Sequence, residues 1–386
     1  MCNFEEYDKS LCCGCGSCEL ICPHECITME FDEEGFLYPI LNEEQCTQCG
    51  LCRLRCPIIK ETRNTGIISS YGLIHKDKNV TDDSASGGAF TAIAEYVLSR
   101  KGVVFGCAFN ENIEAITVAV EKREDLHLLR GSKYVQCNTN KQYRIIKEML
   151  ECGRYVLYCA TPCQIAGLKA YLKKEYDKLI LVDLFCHGTP SPGLFKRYIA
   201  WLGEKHNAKV TEYSFRDKRY GWGTKGHYCT EREFVLHGSD PYYYSFLMGR
   251  TYRPVCYQCK YATANRPGDV TIGDFWGVEM HHPNIPIVNG VSAVLINTQK
   301  GQKVFDNIKD HVRWFNTTFE NISSHNGQLI HPTEKYAKRD KIYSHLNKWT
   351  FERLANRYLY YEPIMITRIR RVIPESIKKV IRKYLK

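Results

Sequence analysis

From about residue 100 onward, short apolar runs alternate with stretches of helical spacing. "GVVFGCAF" (102–109) and "AITVAVEK" (115–122) read as strands. "NKQYRIIKEMLECG" (140–153) has helical spacing and a Gly stop. The clearest unit follows: strand "YVLYCA" (155–160), turn "TPC", helix "QIAGLKAYLKKEY" (164–176) and strand "LILVDLFC" (179–186). Such a crossover predicts two parallel strands and an α/β domain. "SASGGAFTAIAEYVL" (84–98) is a Gly-rich turn opening a helix, and "DVTIGDFWG" (269–277) is a strand running into a Gly-Asp turn and two aromatics. Upstream, "ITMEFDEEGFLYPIL" (27–41) reads as a hairpin around Glu33–Gly35, and the polar stretch 60–70 as a linker. Near the end, Ile369, Ile373, Ile377, Val380, Ile381 and Tyr384 fall at helical spacing among basic residues, with Pro374 as a break.

Composition narrows the class. Apolar residues are 44% and charged residues 25% of the 386, enough to bury a core. No apolar stretch is long enough to span a membrane, and "MCNFEEYDKS" lacks the apolar region of a secretory signal, so a cytoplasmic protein is expected. The net charge of +10 is lopsided: residues 368–386 carry eight Lys/Arg against one Glu, leaving +3 for the remainder. That argues against a nucleic-acid surface. A basic amphipathic tail fits either peripheral contact with an anionic membrane face or a docked helix with a solvated basic side.

Twenty cysteines in a reducing compartment point to cofactor ligation rather than disulfides. Cys12, Cys15, Cys18 and Cys22-Pro23 form C-x2-C-x2-C-x3-C-P, and Cys46, Cys49, Cys52 and Cys56-Pro57 repeat it. This is the two-cluster ferredoxin pattern, in which the fourth cysteine of each run ligates the other cluster. One 4Fe–4S cluster is thus expected on Cys12, Cys15, Cys18 and Cys56, and another on Cys46, Cys49, Cys52 and Cys22. Zinc is the alternative for such thiols. Cys13 reads as packing, and Cys107, Cys137, Cys152 and Cys229 as small buried hydrophobes.

Parallel sheets bind ligands at the carboxyl ends of their strands. Cys163 and Cys186 end neighbouring strands there, and "RPVCYQCKY" adds Cys256 and Cys259. Together they make a plausible third cluster site, with zinc or no metal as alternatives. His187 beside Cys186 reads as a proton relay or a structural histidine. Asp274 and Trp276 read as a cofactor pocket or as a satisfied turn carboxylate and a core Trp. His281 and His282 read as surface, and Tyr242–Tyr244 as packing.

The expected architecture is an α+β ferredoxin-like dicluster domain (1–60), a linker (61–70), an α/β domain with a partly parallel sheet divided into 71–150 and 151–335, and a helical basic C-terminal tail (336–386). With these pieces in order, the chain resembles the beta-subunit family of coenzyme F-420 hydrogenases and dehydrogenases. The carrying segments are "SASGGAFTAI", "LRGSKYVQC", "YCATPCQIAGLKAYL", "VDLFCHGTPSP", "RPVCYQCK", "DVTIGDFWG" and "NGVSAVLINT". The resemblance implies an oxidoreductase in which FAD exchanges hydride with a deazaflavin and 4Fe–4S clusters carry single electrons. It implies FAD phosphate at Ser86, Gly87 and Gly88, cofactor lining by Ser132, Lys133 and Tyr134, and flavin-ring contact by Thr161, Pro162 and Gln164. It also turns the third thiol site toward iron. Ala160 stands where the family has Gly, and Cys137 where it has Ser. Partners are then a redox protein or a deazaflavin-type small molecule. A ferredoxin-driven reductase of another organic substrate and a non-catalytic relay subunit remain alternatives.

Overall fold

The computed structural model describes residues 8–60, 64, 66–219, 221–237 and 240–360. Its strands are β1 (Ile27–Phe31), β2 (Leu37–Leu41), β3 (Ser69–His75), β4 (Val103–Phe109), β5 (Ala115–Val120), β6 (Val156–Ala160), β7 (Leu179–Leu184), β8 (Val210–Ser214), β9 (Gly226–Thr230), β10 (Phe234–His237), β11 (Val270–Asp274), β12 (Ser292–Ile296) and β13 (Val312–Thr317). Strands β1 and β2 form the expected hairpin, turning at Gly35 with φ +75°. Eight strands make one sheet in the order β13-β3-β12-β11-β7-β6-β4-β5, and β8–β10 make a separate antiparallel sheet.

The large sheet is partly parallel, as the crossover predicts. Pairs β4–β6, β6–β7 and β7–β11 are parallel and the others antiparallel. Strands from 71–150 and from 151–335 share this sheet. Its central strands are buried on both faces, and β6 is buried along its whole length, so their sequences read as continuous apolar runs. Helices Ala89–Ser99 and Gln299–Ile308 supply core residues for one face. Helices Gln142–Glu151 and Pro162–Leu172 supply the other. A large aromatic cluster joins the hairpin residues Phe36 and Tyr38 to helix Pro192–His206, β8, helix Pro241–Leu247 and residues 342–359. Tyr242 and Tyr243 are buried in it, as packing residues.

Several boundaries differ from the sequence reading. The crossover helix begins at Pro162, because proline's missing N–H and fixed φ suit the first helical position. Cys163 therefore lies in the first helical turn. Ser69 and Ser70, read as linker, start β3, and residues 61–63 and 65 fall outside the described set. Cys152 is exposed, because it is the C-terminal cap of its helix rather than part of the apolar face. His282 is half-buried, packing on Phe315 at 4.7 Å and reaching Thr317 Oγ1 at 2.9 Å. Of the tail, Arg339–Ser344, Phe351–Leu354 and Ala355–Leu359 are helical, whereas the amphipathic segment 369–384 lies outside the described residues.

Candidate functional site

The two four-cysteine runs each open a short helix through a left-handed glycine, Gly16 (φ 75°) before Ser17–Ile21 and Gly50 (φ 76°) before Leu51–Leu54. A shallow hollow is lined by Cys46, Cys49, Cys52 and Gly50 together with Cys22 and Cys26. Cys22 thus faces the second run, as crossed ligation requires. Cys26, unassigned by spacing, sits with its Sγ 3.3 Å from that of Cys22. In the first set, Cys18 is half-buried, and its thiol is pushed up by desolvation and by Cys12 and Cys56. Cys15 likewise faces Cys18 and Cys56.

The third set assembles by strand register. Ala160 of β6 pairs with Asp183 of β7. Cys163 and Cys186 each lie three residues beyond that level, so neighbouring strands deliver both thiols to one edge. The turn Pro254–Gln258 and Cys259 bring in the remaining pair. Burial, then Cys256, Cys163 and Cys259, push the Cys186 thiol well up. Burial and Cys259 push Cys256 up to about 12, and burial and Cys163 push Cys259 up to about 11. Cys163 is pushed up first by its hydrogen bond with Cys13 and then by burial. Four half-buried thiols whose thiolate forms would repel one another suit a cation that displaces their protons.

Sulfur spacing bears on which cation. Among the described residues, the His, Cys, Asp or Glu donors found in threes within 4.8 Å of one another are Glu212, His227 and Cys229. No three of the twelve motif thiols are so close. A tetrahedral zinc with Zn–S of about 2.3 Å needs sulfurs roughly 3.8 Å apart. The described thiols thus form no three-donor set at the spacing of a single ion.

The thiol sites adjoin each other. Cys13 and Cys15 share an apolar cluster with Ile58, Ala166, Val255 and Tyr261, against which Cys56, Cys163, Cys256 and Cys259 pack. The Cys13 thiol hydrogen-bonds those of Cys15 and Cys163. The ferredoxin unit is bolted on by Tyr261 Oη donating to the Pro57 carbonyl at 3.0 Å, Lys260 Nζ donating to that of Ile58 at 3.1 Å, and a buried Arg339–Glu34 ion pair.

A second, polar cluster lies at the same sheet edge. Ile272 of β11 pairs with Leu184 of β7, which puts Asp274 level with Cys186. Asp274 accepts from Arg216 Nη1 (2.7 Å) and Nη2 (3.1 Å) and from Trp222 Nε1 (3.0 Å). Trp222 stacks on Trp276 at 4.4 Å. Arg216 Nη1 also donates to Tyr134 Oη at 3.2 Å, and its Nε is buried without an acceptor. His187 is exposed to solvent at this edge, and partial desolvation lowers its imidazole pKa from the ordinary value, against the pull of Asp274. Lys218 Nζ donates to the carbonyls of Thr81, Ser86 and Asn289 at 2.5–2.6 Å. An orphaned guanidinium donor and stacked aromatics suit an anionic, aromatic ligand.

The other expected contacts distribute as follows. Gly87 leaves no room for a side chain: a Cβ would lie 2.2 Å from the Leu73 carbonyl. Gly88 (φ 91°) caps helix Ala89–Ser99, and Ser86 Oγ donates to the Val291 carbonyl at 2.7 Å. The loop is thus pinned between β3 and β12. Lys133 Nζ is held by the Leu128 and Arg130 carbonyls. Thr161 Oγ1 reaches Cys163 Sγ (3.4 Å) and Gln164 Oε1 (3.1 Å), and Gln164 Nε2 donates to the Cys137 carbonyl (2.8 Å). Arg216, Lys218 and Trp222 were not identified from sequence. The signal available was the basic, Gly-flanked "RDKRYGWG" after an apolar strand.

Known proteins match the chain along most of its length. Residues 74–143 match the family model for the N-terminal part of the coenzyme F-420 hydrogenase/dehydrogenase beta subunit, and 153–315 match the model for its C-terminal part. Residues 5–28 match "4Fe-4S binding domain". An F(420)H(2) dehydrogenase polypeptide of Methanosarcina mazei, the F component of that enzyme, is 22% identical over 331 residues, 80% of this chain and 85% of that protein. A chain of the F-420-reducing NiFe hydrogenase complex from Methanosarcina barkeri, solved with xenon derivatization, is 18% identical. It aligns with TM-score 0.44 over 65% of this chain and 82% of that one. Both halves of one family model lie in order on a single sheet, behind an iron–sulfur motif. The chain belongs to the coenzyme F-420 hydrogenase/dehydrogenase beta-subunit family and carries a 4Fe–4S binding domain.

Proposed function

We propose that the chain is an iron–sulfur flavoprotein oxidoreductase, passing electrons between a deazaflavin-type hydride donor or acceptor and a redox partner protein. One observation carries this reading. The quartet Cys163, Cys186, Cys256 and Cys259 stands between the ferredoxin thiols, through Cys13, and the Arg216–Asp274 wall, through the adjacent pair Cys186–His187. FAD, when bound, converts a two-electron hydride into single electrons that clusters accept. Arg216 supplies charge for an anionic group, Tyr134 and Trp276 supply aromatic walls, and Asp274 fixes the Arg216 fork. His187 offers an exposed imidazole as a proton acceptor beside the third thiol set. Thr161, Pro162 and Gln164 line the edge at the start of the crossover helix. Cys49 is exposed, which supports the second cluster as the exchange point with a partner.

Anaerobic purification with iron, flavin and zinc analysis tests the reading. Three clusters require about twelve irons per chain and the ferredoxin pair alone about eight. Rapid bleaching of reduced deazaflavin, with bound FAD, supports the proposal. Bound FAD without bleaching indicates a reductase of another organic substrate. Absence of bound flavin indicates an electron relay that meets no substrate. The basic pattern of 368–386 supports peripheral contact with anionic membrane. Equal sedimentation of intact chain and a 364–386 deletion with anionic vesicles at low salt refutes that contact.

A further inference from the structure

Arg253 is 1% exposed and lies between the ferredoxin unit and the third thiol set. Its Nε donates to the Cys12 carbonyl (2.6 Å), Nη2 to the Leu37 carbonyl (2.9 Å) and Nη1 to Gln136 Oε1 (3.0 Å). Gln136 Nε2 in turn donates to the Cys13 carbonyl at 3.1 Å. The guanidinium lies 3.9 Å from the ring centroid of Tyr38. Three residues further on, the same turn supplies Cys256.

Every one of these acceptors is neutral. The two other arginines buried as deeply have carboxylates: Arg266 pairs with Asp183 at 3.0 Å, and Arg339 with Glu34. Among the described residues, none pairs with Arg253. A buried guanidinium without an anion costs several kcal/mol. Burial opposes its charge, and the groups that favour it are Cys12, Tyr38, Cys13 and Cys256. Its countercharge thus comes from both thiol sets. Four thiolates outweigh the charge of a 4Fe–4S core, and each added electron deepens the excess. A fixed cation between two such clusters stabilises the reduced form of each, since cluster potentials follow local charge and hydrogen bonding.

We infer that Arg253 is an electrostatic bridge between the first ferredoxin cluster and the Cys163–Cys186–Cys256–Cys259 cluster, tuning both toward easier reduction. This rests on the three-cluster reading. It assigns Arg253 a role beyond docking the ferredoxin unit.

The test uses the full chain, purified anaerobically, as wild type, R253Q, R253K and Q136E. Each is assayed for iron and titrated potentiometrically with electron paramagnetic resonance. R253Q should keep its iron while the first and third clusters become harder to reduce. The expected drop is at least about tenfold in the equilibrium constant, about 59 mV for one electron. The second cluster, ligated by Cys22, Cys46, Cys49 and Cys52, should stay in place as an internal reference. R253K should recover most of the shift. Q136E neutralises the guanidinium in place and should reproduce it, so the question stays answerable if R253Q fails to fold. Unmoved first and third potentials in iron-replete R253Q or Q136E overturn the inference, as does an R253K shift equal to that of R253Q. Eight irons in wild type defeat the three-cluster reading, and the bridge falls with it.

Discussion

Gly167 lies midway along helix Pro162–Leu172, where a Cβ would meet Cys15 Cβ at 2.8 Å, Cys15 Sγ at 2.9 Å and Tyr143 Oη at 3.1 Å. Non-bonded carbon contacts settle near 3.5–4.0 Å, so Gly167→Ala forces Cys15 back by about 0.7–1.2 Å. Two energies compete. Alanine in a helix interior gains about 1 kcal/mol over glycine, whereas overpacking costs about 1–3 kcal/mol. Net stability should therefore change by no more than about 2 kcal/mol, and the damage should concentrate at the cluster that Cys15 ligates. The expected outcome is a folded variant with a near-normal circular-dichroism melt and selective loss of the first cluster. Iron then falls from about twelve to about eight per chain after brief air exposure. The control is Gly203→Ala in helix Pro192–His206, whose added methyl meets the Ala208 carbonyl alone, at 3.3 Å. Full iron and an unchanged first-cluster spectrum in Gly167→Ala would show that Cys15 does not sit against this helix as described.

Crossed ligation predicts that Cys56→Ser damages the first cluster and Cys22→Ser the second; spectra showing the reverse assignment refute it. Asp274→Ala strands the buried Arg216, whose side chain is 2% exposed, so a destabilisation of about 3 kcal/mol with loss of bound flavin is expected. An unchanged urea midpoint with flavin retained would contradict this. Burial pulls Lys218 from its ordinary 10.5 to about 7. The folded chain then releases this proton near pH 7, while the unfolded chain holds it to about 10.5. The contribution is flat below about 7 and rises with pH from there to 10.5. K218M should lack that rise, and parallel stability–pH curves for both proteins would refute the assignment.

The legible parts of this chain are those whose signal is local. The eight cysteines of the two runs each belong to one loop and one short helix, so spacing alone marks them as candidate ligands. The β6–helix–β7 crossover is equally readable, since parallel pairing follows from the length of the connection, and register then brings Cys163 and Cys186 to one edge. Strands β3, β12 and β13 were missed because their pairings join residue 73 to 292 and 314, a separation at which periodicity says nothing. The Arg216–Asp274 pair spans 58 residues and the Arg253–Cys12 bond 241, so neither leaves a local pattern. Glycine motifs are ambiguous for a related reason. "SASGG" looks like a phosphate turn, yet Gly87 is required because two strands crowd it. Close approach of backbone to backbone and close approach of backbone to phosphate demand the same residue. What separates them is a neighbouring cation, and here Lys218 reaches the Ser86 carbonyl from a loop 132 residues away. The cofactor wall is thus read from where long-range contacts place charge, while the clusters are read from where the chain places sulfur.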